Sequence, residues 1–257
     1  ERKLEEKYGL TEALIAVPAY EQSSDQEVAF QAVDYILRVL KKNMVFGMTW
    51  GRAMHEFVEQ LAKDERLRSL SFQNVKVVPF LGTPGAIQSD SWNTTTYSNT
   101  LATKVGNLLH CASYNLSAPM YVEGTKEKEL IESIDEIAKV LHMAETADIA
   151  LIGIGSMQDD SSIIKAEIRT KEEYKELVRK GAVGEIVGRI YDKNGQTVDE
   201  DLKRKMVGIS LDKIAKIPVR VGMSYGKDKI EAIKGAIAGG LVNVLVTDVP
   251  TAELLLK

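Results

Sequence analysis

The sequence predicts an α/β protein: a mostly parallel, Rossmann-like sheet with helices on both faces and a small inserted subregion. Three observations carry this. Apolar runs recur along the 257 residues, at 13–19, 43–48, 75–81, 118–122, 148–155, 217–223 and 242–248. Several lack the period-2 alternation of a half-buried strand, as parallel strands covered on both faces do. Amphipathic helical stripes fill the gaps, and strand alternating with helix defines the class.

The first run, 13-ALIAVPA-19, leads into residues 26–42, which place Val28, Ala32, Val33, Ile36, Leu37 and Leu40 on one face. That is the i, i+3/i+4 stripe of a helix lying on a sheet. Similar stripes predict helices at 51–63, 97–112, 127–145, 171–180 and 228–240. Residues 184–199 break the rhythm: extended chain, a turn at Lys193-Asn194-Gly195, then extended chain again. Asn-Gly is a strong hairpin signal, and this is the predicted insertion. The polar stretch 84–96 reads as a long loop. No internal repeat or low-complexity tract is evident.

Composition bounds the function. Hydrophobic residues make up 44% of the chain, enough for one full core. The net charge is -4, and basic residues are interleaved with acidic ones, as in 126-KEKELIESIDEIAK-139. A duplex-binding domain usually carries a positive face, so this chain alone is not expected to grip DNA. Cys111 is the single cysteine, which excludes an intrachain disulfide and suits a reducing cytoplasm. No apolar run reaches the ~18 residues of a membrane span. The opening ERKLEEKYGL starts at Glu1 and reads as the middle of a longer protein, so a preceding segment is expected.

Ligands of open α/β sheets bind beyond the carboxyl ends of strands, so the turn after each run is a candidate contact. After 43–48 comes Gly47-Met48-Thr49-Trp50-Gly51-Arg52 and then a helix. Free N–H groups at a helix start attract an anion, glycine lets backbone approach it, and Thr49 and Arg52 add donors. A tight turn with a capping Thr is the plainer reading. The segment matches neither the Walker P-loop nor the dinucleotide fingerprint. A second small-residue turn is Gly153-Ile154-Gly155-Ser156, and a third begins at Gly82. Ser98 and Asn99 open the next helix as caps or as ligand contacts. Lys229 stands at a helix start, where an anionic partner would offset its unfavourable interaction with the helix dipole. Glu185 and Arg189 read as a surface ion pair, and 159-DD-160 and 199-DED-201 as loop charge. His55, His110 and His142 sit in helical stripes without a partner at metal-ligand spacing, and no Gly-x-Ser-x-Gly elbow is present. No cofactor or metal is implied.

Taken in order, GMTWGRAM, VVPFLG, the YSNTLA helix, LSAPMYV, DIALIGIGS, KGAVGEIVGRIYDKNG, MVGISL, KDKIEAIKGAIAGGLVNVLVTD and TAELLL resemble the sugar-binding domain of SorC/DeoR-like bacterial regulators over nearly the whole chain. The most specific parts are GAVGEIVGR followed by D-x-x-G and the closing GGLVNVLVTD. The resemblance implies a sugar-phosphate isomerase/deaminase-like superfold without the enzyme activity, and a helix-turn-helix segment before Glu1 through which operator DNA is bound. The whole of 1–257 would be the effector domain, cytoplasmic and paired as a homodimer or homotetramer. Its ligand would be a phosphorylated sugar that alters operator binding. Carried over residue by residue, Thr49, Trp50, Gly51 and Arg52 would hold phosphate, Glu185 sugar hydroxyls, Lys229 phosphate or hydroxyl oxygens, and Asn99 would face the ligand. The turns at Gly47, Gly82, Gly153, Gly155 and Ser156 would line the same crevice. Two departures matter. Ala53 stands where many relatives have Thr, and Leu81 where some have Lys or Arg. Leu81 excludes the Schiff base formed there by deoxyribose-phosphate sensors, and argues against a bisphosphate. An active isomerase or deaminase on the same superfold is the alternative, with Glu185 as the candidate base. A plain oligomerisation domain is the third reading.

Overall fold

The computed structural model describes residues 1–17, 24–84, 94–159 and 161–257. Most of the predicted 84–96 loop, the end of the first predicted strand and Asp160 lie outside the described residues. Among the described residues, ten strands form two sheets. In the main sheet, β1 (Glu12–Ala16), β2 (Val45–Met48), β3 (Lys76–Pro79), β4 (Ala112–Ser113), β5 (Ile149–Gly153), β9 (Val219–Met223) and β10 (Val244–Asp248) run in the order β1-β10-β9-β5-β2-β3-β4, all parallel. In the second, β6 (Gly155–Ser156), β7 (Ala182–Ile186) and β8 (Arg189–Asp192) are antiparallel neighbours in that order.

The central strands read as continuous apolar runs because both faces are covered. One face packs on the helices Ser24–Val39, Arg52–Leu61 and Ser98–Leu108, whose stripes include Val28, Ile36, Met54, Phe57, Leu101 and Val105. A second core on the other side includes Ile152, Leu245, Ile233, Leu255 and the inserted sheet's Ile186, Ile190 and Tyr191. Gly47, predicted to lie in the ligand turn, is inside β2. A Cβ there would lie 1.9 Å from Phe80 Cε1, so its lack of a side chain is explained by packing against that ring.

Several expectations are corrected. Residues 118–122 are not a sheet strand. They make isolated bridges, Thr83 with Pro119 and Tyr121 with Met206, and the edge place beside β3 goes to β4. Pro119 has no N–H with which to continue a ladder. The helix predicted over 97–112 ends at Leu108, and His110, at φ 51, lies past it in the turn into β4. The stripe at 127–145 is two helices, Thr125–Glu132 and Asp135–Glu145, because Ile134 is extended (φ -65, ψ 123). Terminal helices Arg2–Tyr8 and Val249–Leu256 frame the sheet edge.

The insertion exists and holds the predicted turn and a second one: Tyr191 bridges Thr197 antiparallel across Lys193-Asn194-Gly195, with Asp192 N donating to Gln196 O and Val198 N to Ile190 O, each at 2.9 Å. β7 and β8 join through Val187-Gly188, with Ile186 opposite Arg189. Both turn residues have positive φ, 55 and 68, the two-residue type I′ signature. The Asn194-Gly195 turn follows β8, where Asp192 Oδ1 accepts from Asn194 N and Gln196 N, both at 2.9 Å. Gly195 then meets the C-terminus of the helix Ile230–Ala238: a Cβ would lie 2.4 Å from Gly239 Cα. Tyr191 Oη donates to Ala232 O of that helix at 2.9 Å.

The 199–201 acidic run is not merely loop charge. Asp199 is buried, pairs with Arg169 Nε at 2.8 Å and caps the next helix by accepting from Leu202 N at 2.9 Å. Arg169 also holds Asp201, at 3.0 Å. Glu185 and Arg189 are both buried rather than on the surface, and they face different partners: Arg189 Nη2 donates to Met206 O and Gly208 O, each at 3.1 Å.

The Gly47 contact is testable. Gly47→Ala forces Phe80 or the strand to move, and overpacking of this kind costs about 1–3 kcal/mol. Urea unfolding followed by far-UV circular dichroism should show the midpoint fall. An unchanged midpoint would refute the packing account.

Candidate functional site

The sheet order reverses at β2. The chain goes outward from β2 to β3 and β4, then returns to place β5 on the other side of β2. This topological switch point leaves a crevice beyond the carboxyl ends of β2 and β5, where doubly wound sheets hold their ligands.

Thr49 ties the two strand ends together. Its N–H donates to Leu151 O at 3.1 Å, and its Oγ1 accepts from Gly153 N at 3.0 Å. Thr49 is buried, and a hydroxyl that accepts one bond can still donate its own hydrogen. Gly51 has φ 106 and ψ 178, a conformation other residues avoid, and opens the helix Arg52–Leu61. Its N–H donates to Thr96 O at 3.0 Å, so it belongs to the protein. The first helical bond runs from His55 N to Gly51 O. The N–H groups of Arg52, Ala53 and Met54 therefore form the first turn that intrahelical acceptors do not reach. Arg52 is exposed at this terminus.

Across the crevice stands Glu185 on β7, paired in register with Gly155 of β6. Gly155 leaves room for the carboxylate in this position, since a Cβ would lie 2.6 Å from Glu185 Oε2. Glu185 Oε1 accepts from Gly188 N at 2.6 Å, and the Trp50 side chain also bonds the carboxylate. Trp50 thus spans from the turn after β2 to the inserted sheet. Burial pushes the Glu185 pKa up, against the opposing pull of the Gly188 N–H, the Lys229 ammonium and Trp50. Lys229 precedes the helix Ile230–Ala238. The chain enters that helix through Gly226, at φ 105, whose N–H donates to Thr251 Oγ1 at 2.7 Å. Thr251 is in turn fixed by Asp248 Oδ1, which accepts its N–H at 2.9 Å. The closing TD motif and its following Thr therefore shape the approach to Lys229.

The structure sets Trp50, Gly155 and Lys229 about Glu185, with Thr49 and Gly153 bonded at the strand ends beside them, and Gly51 and Arg52 opening the helix that follows. It gives other predicted residues mainly structural work. Asn99 is a clamp: its Nδ2 donates to Thr83 Oγ1 (2.8 Å) and Leu116 O (3.1 Å), while its Oδ1 accepts from Leu116 N (2.9 Å). Ser98 Oγ donates to Met48 O at 3.0 Å and does not cap the helix. Gly82 lies against the 118–119 backbone, where a Cβ would meet Ala118 O at 2.5 Å. Ser156 is buried within β6. Sequence reasoning missed Tyr225 and Asp25. Burial pushes the Tyr225 pKa up, with the Asp25 carboxylate in the first turn of the helix Ser24–Val39 adding to the rise and Arg52 opposing it.

A helix start at a switch point, beside a buried carboxylate and an ammonium, makes this a candidate small-molecule site of an α/β domain. The comparisons narrow this. The family model described as "Putative sugar-binding domain" matches residues 1–257. The chain is 30% identical over 261 residues to the sorbitol operon regulator of Klebsiella pneumoniae, covering 100% of this chain and 79% of that protein. It is 25% identical to the deoxyribonucleoside regulator of Bacillus subtilis, over 99% of this chain and 78% of that protein. The crystal structure of full-length SorC from Klebsiella pneumoniae superposes with a TM-score of 0.87 at 28% identity, over 100% of this chain and 80% of that one. The chain belongs to this family of sugar-binding domains of transcriptional regulators.

The Glu185 environment predicts a pH signature. The unfolded carboxyl ionises near its ordinary value of 4.5, and the folded one resists until higher pH. The folded state therefore binds more protons in that window, and stability is lost as pH rises through it. Glu185→Gln should remove this loss. Urea unfolding from pH 4 to pH 8 should show the native protein losing stability relative to the variant above about pH 4.5. Parallel curves would contradict the assignment.

Proposed function

We propose that this chain is the effector-binding and oligomerisation domain of a bacterial transcription regulator of carbohydrate metabolism. Its effector is a phosphorylated sugar. The phosphate sits over the first turn of the helix Arg52–Leu61, held by Thr49, Arg52 and the backbone N–H groups of that turn, which Gly51 opens. Sugar hydroxyls reach Glu185 and Lys229, and Trp50 positions the carboxylate. Operator DNA is contacted by a separate helix-turn-helix segment, and ligand binding changes its affinity in a cytoplasmic homodimer or homotetramer. The observation that supports this best is the convergence of the Arg52 helix start and the Glu185–Lys229 pair on one switch-point crevice. The relatives' regulatory names support the rest.

A sensor needs no reacting base, only a ligand that binds one conformation better than another. The second reading, an isomerase or deaminase, is favoured by the raised pKa of Glu185 beside Lys229. Incubation with ribose 5-phosphate or glucosamine 6-phosphate, followed by NMR, should show no conversion. Turnover abolished by Glu185→Gln would establish the enzyme instead.

The effector is testable by thermal shift with glucose 6-phosphate, fructose 6-phosphate, sorbitol 6-phosphate, ribose 5-phosphate, the parent sugars and inorganic phosphate. A ligand at about 100 times its Kd adds about 2.7 kcal/mol of stability. One phosphosugar should give that shift selectively, and Arg52→Ala or Lys229→Ala should remove it. A shift by a parent sugar alone would replace the phosphosugar reading with a neutral ligand.

A further inference from the structure

The Val187-Gly188 turn sets the donor on the Glu185 carboxylate, because Gly188 N meets Glu185 Oε1 at 2.6 Å. Its sequence does not favour the shape it takes. Valine resists a positive φ, and such a residue stays there only where its surroundings hold it. Arg189, the next residue, supplies a hold. It is 3% exposed and opens β8 opposite Ile186. Its Nη2 donates to Met206 O and to Gly208 O, each at 3.1 Å.

Those two carbonyls belong to a fixed wall. Gly208 bridges Leu81 antiparallel, Gly82 N donates to Val207 O at 3.1 Å, and Ile209 N donates to Phe80 O at 2.9 Å. Residues 206–209 therefore run against the continuation of β3. Gly188 rests on the same wall, where a Cβ would lie 2.3 Å from Met206 Cε. One guanidinium nitrogen thus refers the tip of the hairpin to the main sheet. The other two do little else. Nε and Nη1 are buried and bond nothing. Burial pushes the Arg189 pKa down to about 10, with Glu132 and Asp212 opposing. A buried cation so sparsely bonded stabilises a core no better than an apolar side chain of its volume. What the guanidinium adds is the place at which it holds the backbone.

We infer that Arg189 is a positioning residue of the effector site: its grip on Met206 O and Gly208 O holds the hairpin tip so that Gly188 N stays on the Glu185 carboxylate. Its consequence for a ligand rests on the phosphosugar reading above. Lys229, the Trp50 side chain and the Tyr191 phenol also act at Glu185. Lys229 and Trp50 lie on other elements, and Tyr191 Oη is bonded to Ala232 O. A change in Glu185 ionisation on altering Arg189 therefore reports the Gly188 donor.

Carbon-13 NMR of the glutamate carboxyls tests this in the ligand-free chain, with Glu185→Gln assigning the resonance. Arg189→Met should raise the Glu185 midpoint by about one pH unit, since a carboxylate that loses a backbone donor holds its proton longer. Arg189→Gln ends where Nε stands, too short to reach either carbonyl. It should give the same rise, and it serves if Arg189→Met does not fold. Calorimetry then uses the phosphosugar among glucose 6-phosphate, fructose 6-phosphate, sorbitol 6-phosphate and ribose 5-phosphate that shifts the native melting temperature most. The variant should bind it about tenfold more weakly than native at pH 5, and less than about threefold more weakly at pH 8. An unmoved or lowered midpoint in a folded variant would overturn the role of Arg189, as would an equal loss of affinity at both pH values. A raised midpoint in a chain that binds none of the phosphosugars would uphold Arg189 as the holder of Glu185 and sink the phosphosugar reading alone.

Discussion

Everything at the crevice depends on the bond between Thr49 and Gly153. Two parallel strands that part at a switch point would be free to splay at their ends. Thr49 prevents this by donating from its backbone to Leu151 and accepting at its side chain from Gly153. The ends of β2 and β5 are thereby one edge. The helix start at Arg52 follows from the first strand, and the inserted sheet bearing Glu185 follows from the second. A buried hydroxyl with both neighbours in place is well suited to this, because low local dielectric strengthens the bonds it makes.

The inserted hairpin holds its carboxylate at a cost. Val187 is β-branched, buried and at φ 55, a conformation that costs roughly 1–3 kcal/mol. The return is geometric. The turn aims Gly188 N back at Glu185 Oε1, supplying a fixed donor to an otherwise poorly solvated carboxylate. Such outliers persist where the surroundings over-determine them, and here the over-determination includes Gly155 beneath the carboxylate and Trp50 beside it.

The layers of the fold were legible because buried parallel strands leave continuous apolar runs, and helices such as Ser24–Val39 leave clean stripes. The errors have physical causes. Pro119 and the short edge strand β4 carry almost no periodic signal, so the edge was placed one segment late. The Asn-Gly turn obscured the Val187-Gly188 turn because valine is among the last residues expected at positive φ. At the site, local spacing found Thr49, Gly51, Arg52 and Lys229, which lie on strand-to-helix turns. It misjudged Asn99 and Asp199, whose work depends on distant partners, Leu116 and Arg169, that no spacing rule reveals.

The close approach of Gly195 to Gly239, with Tyr191 bonded to Ala232, makes the inserted sheet a passenger on the helix Ile230–Ala238. The strand that carries Glu185 and the helix that begins after Lys229 are therefore held at one fixed spacing, as two fingers of one hand, and that spacing is a ruler for whatever group is placed between them.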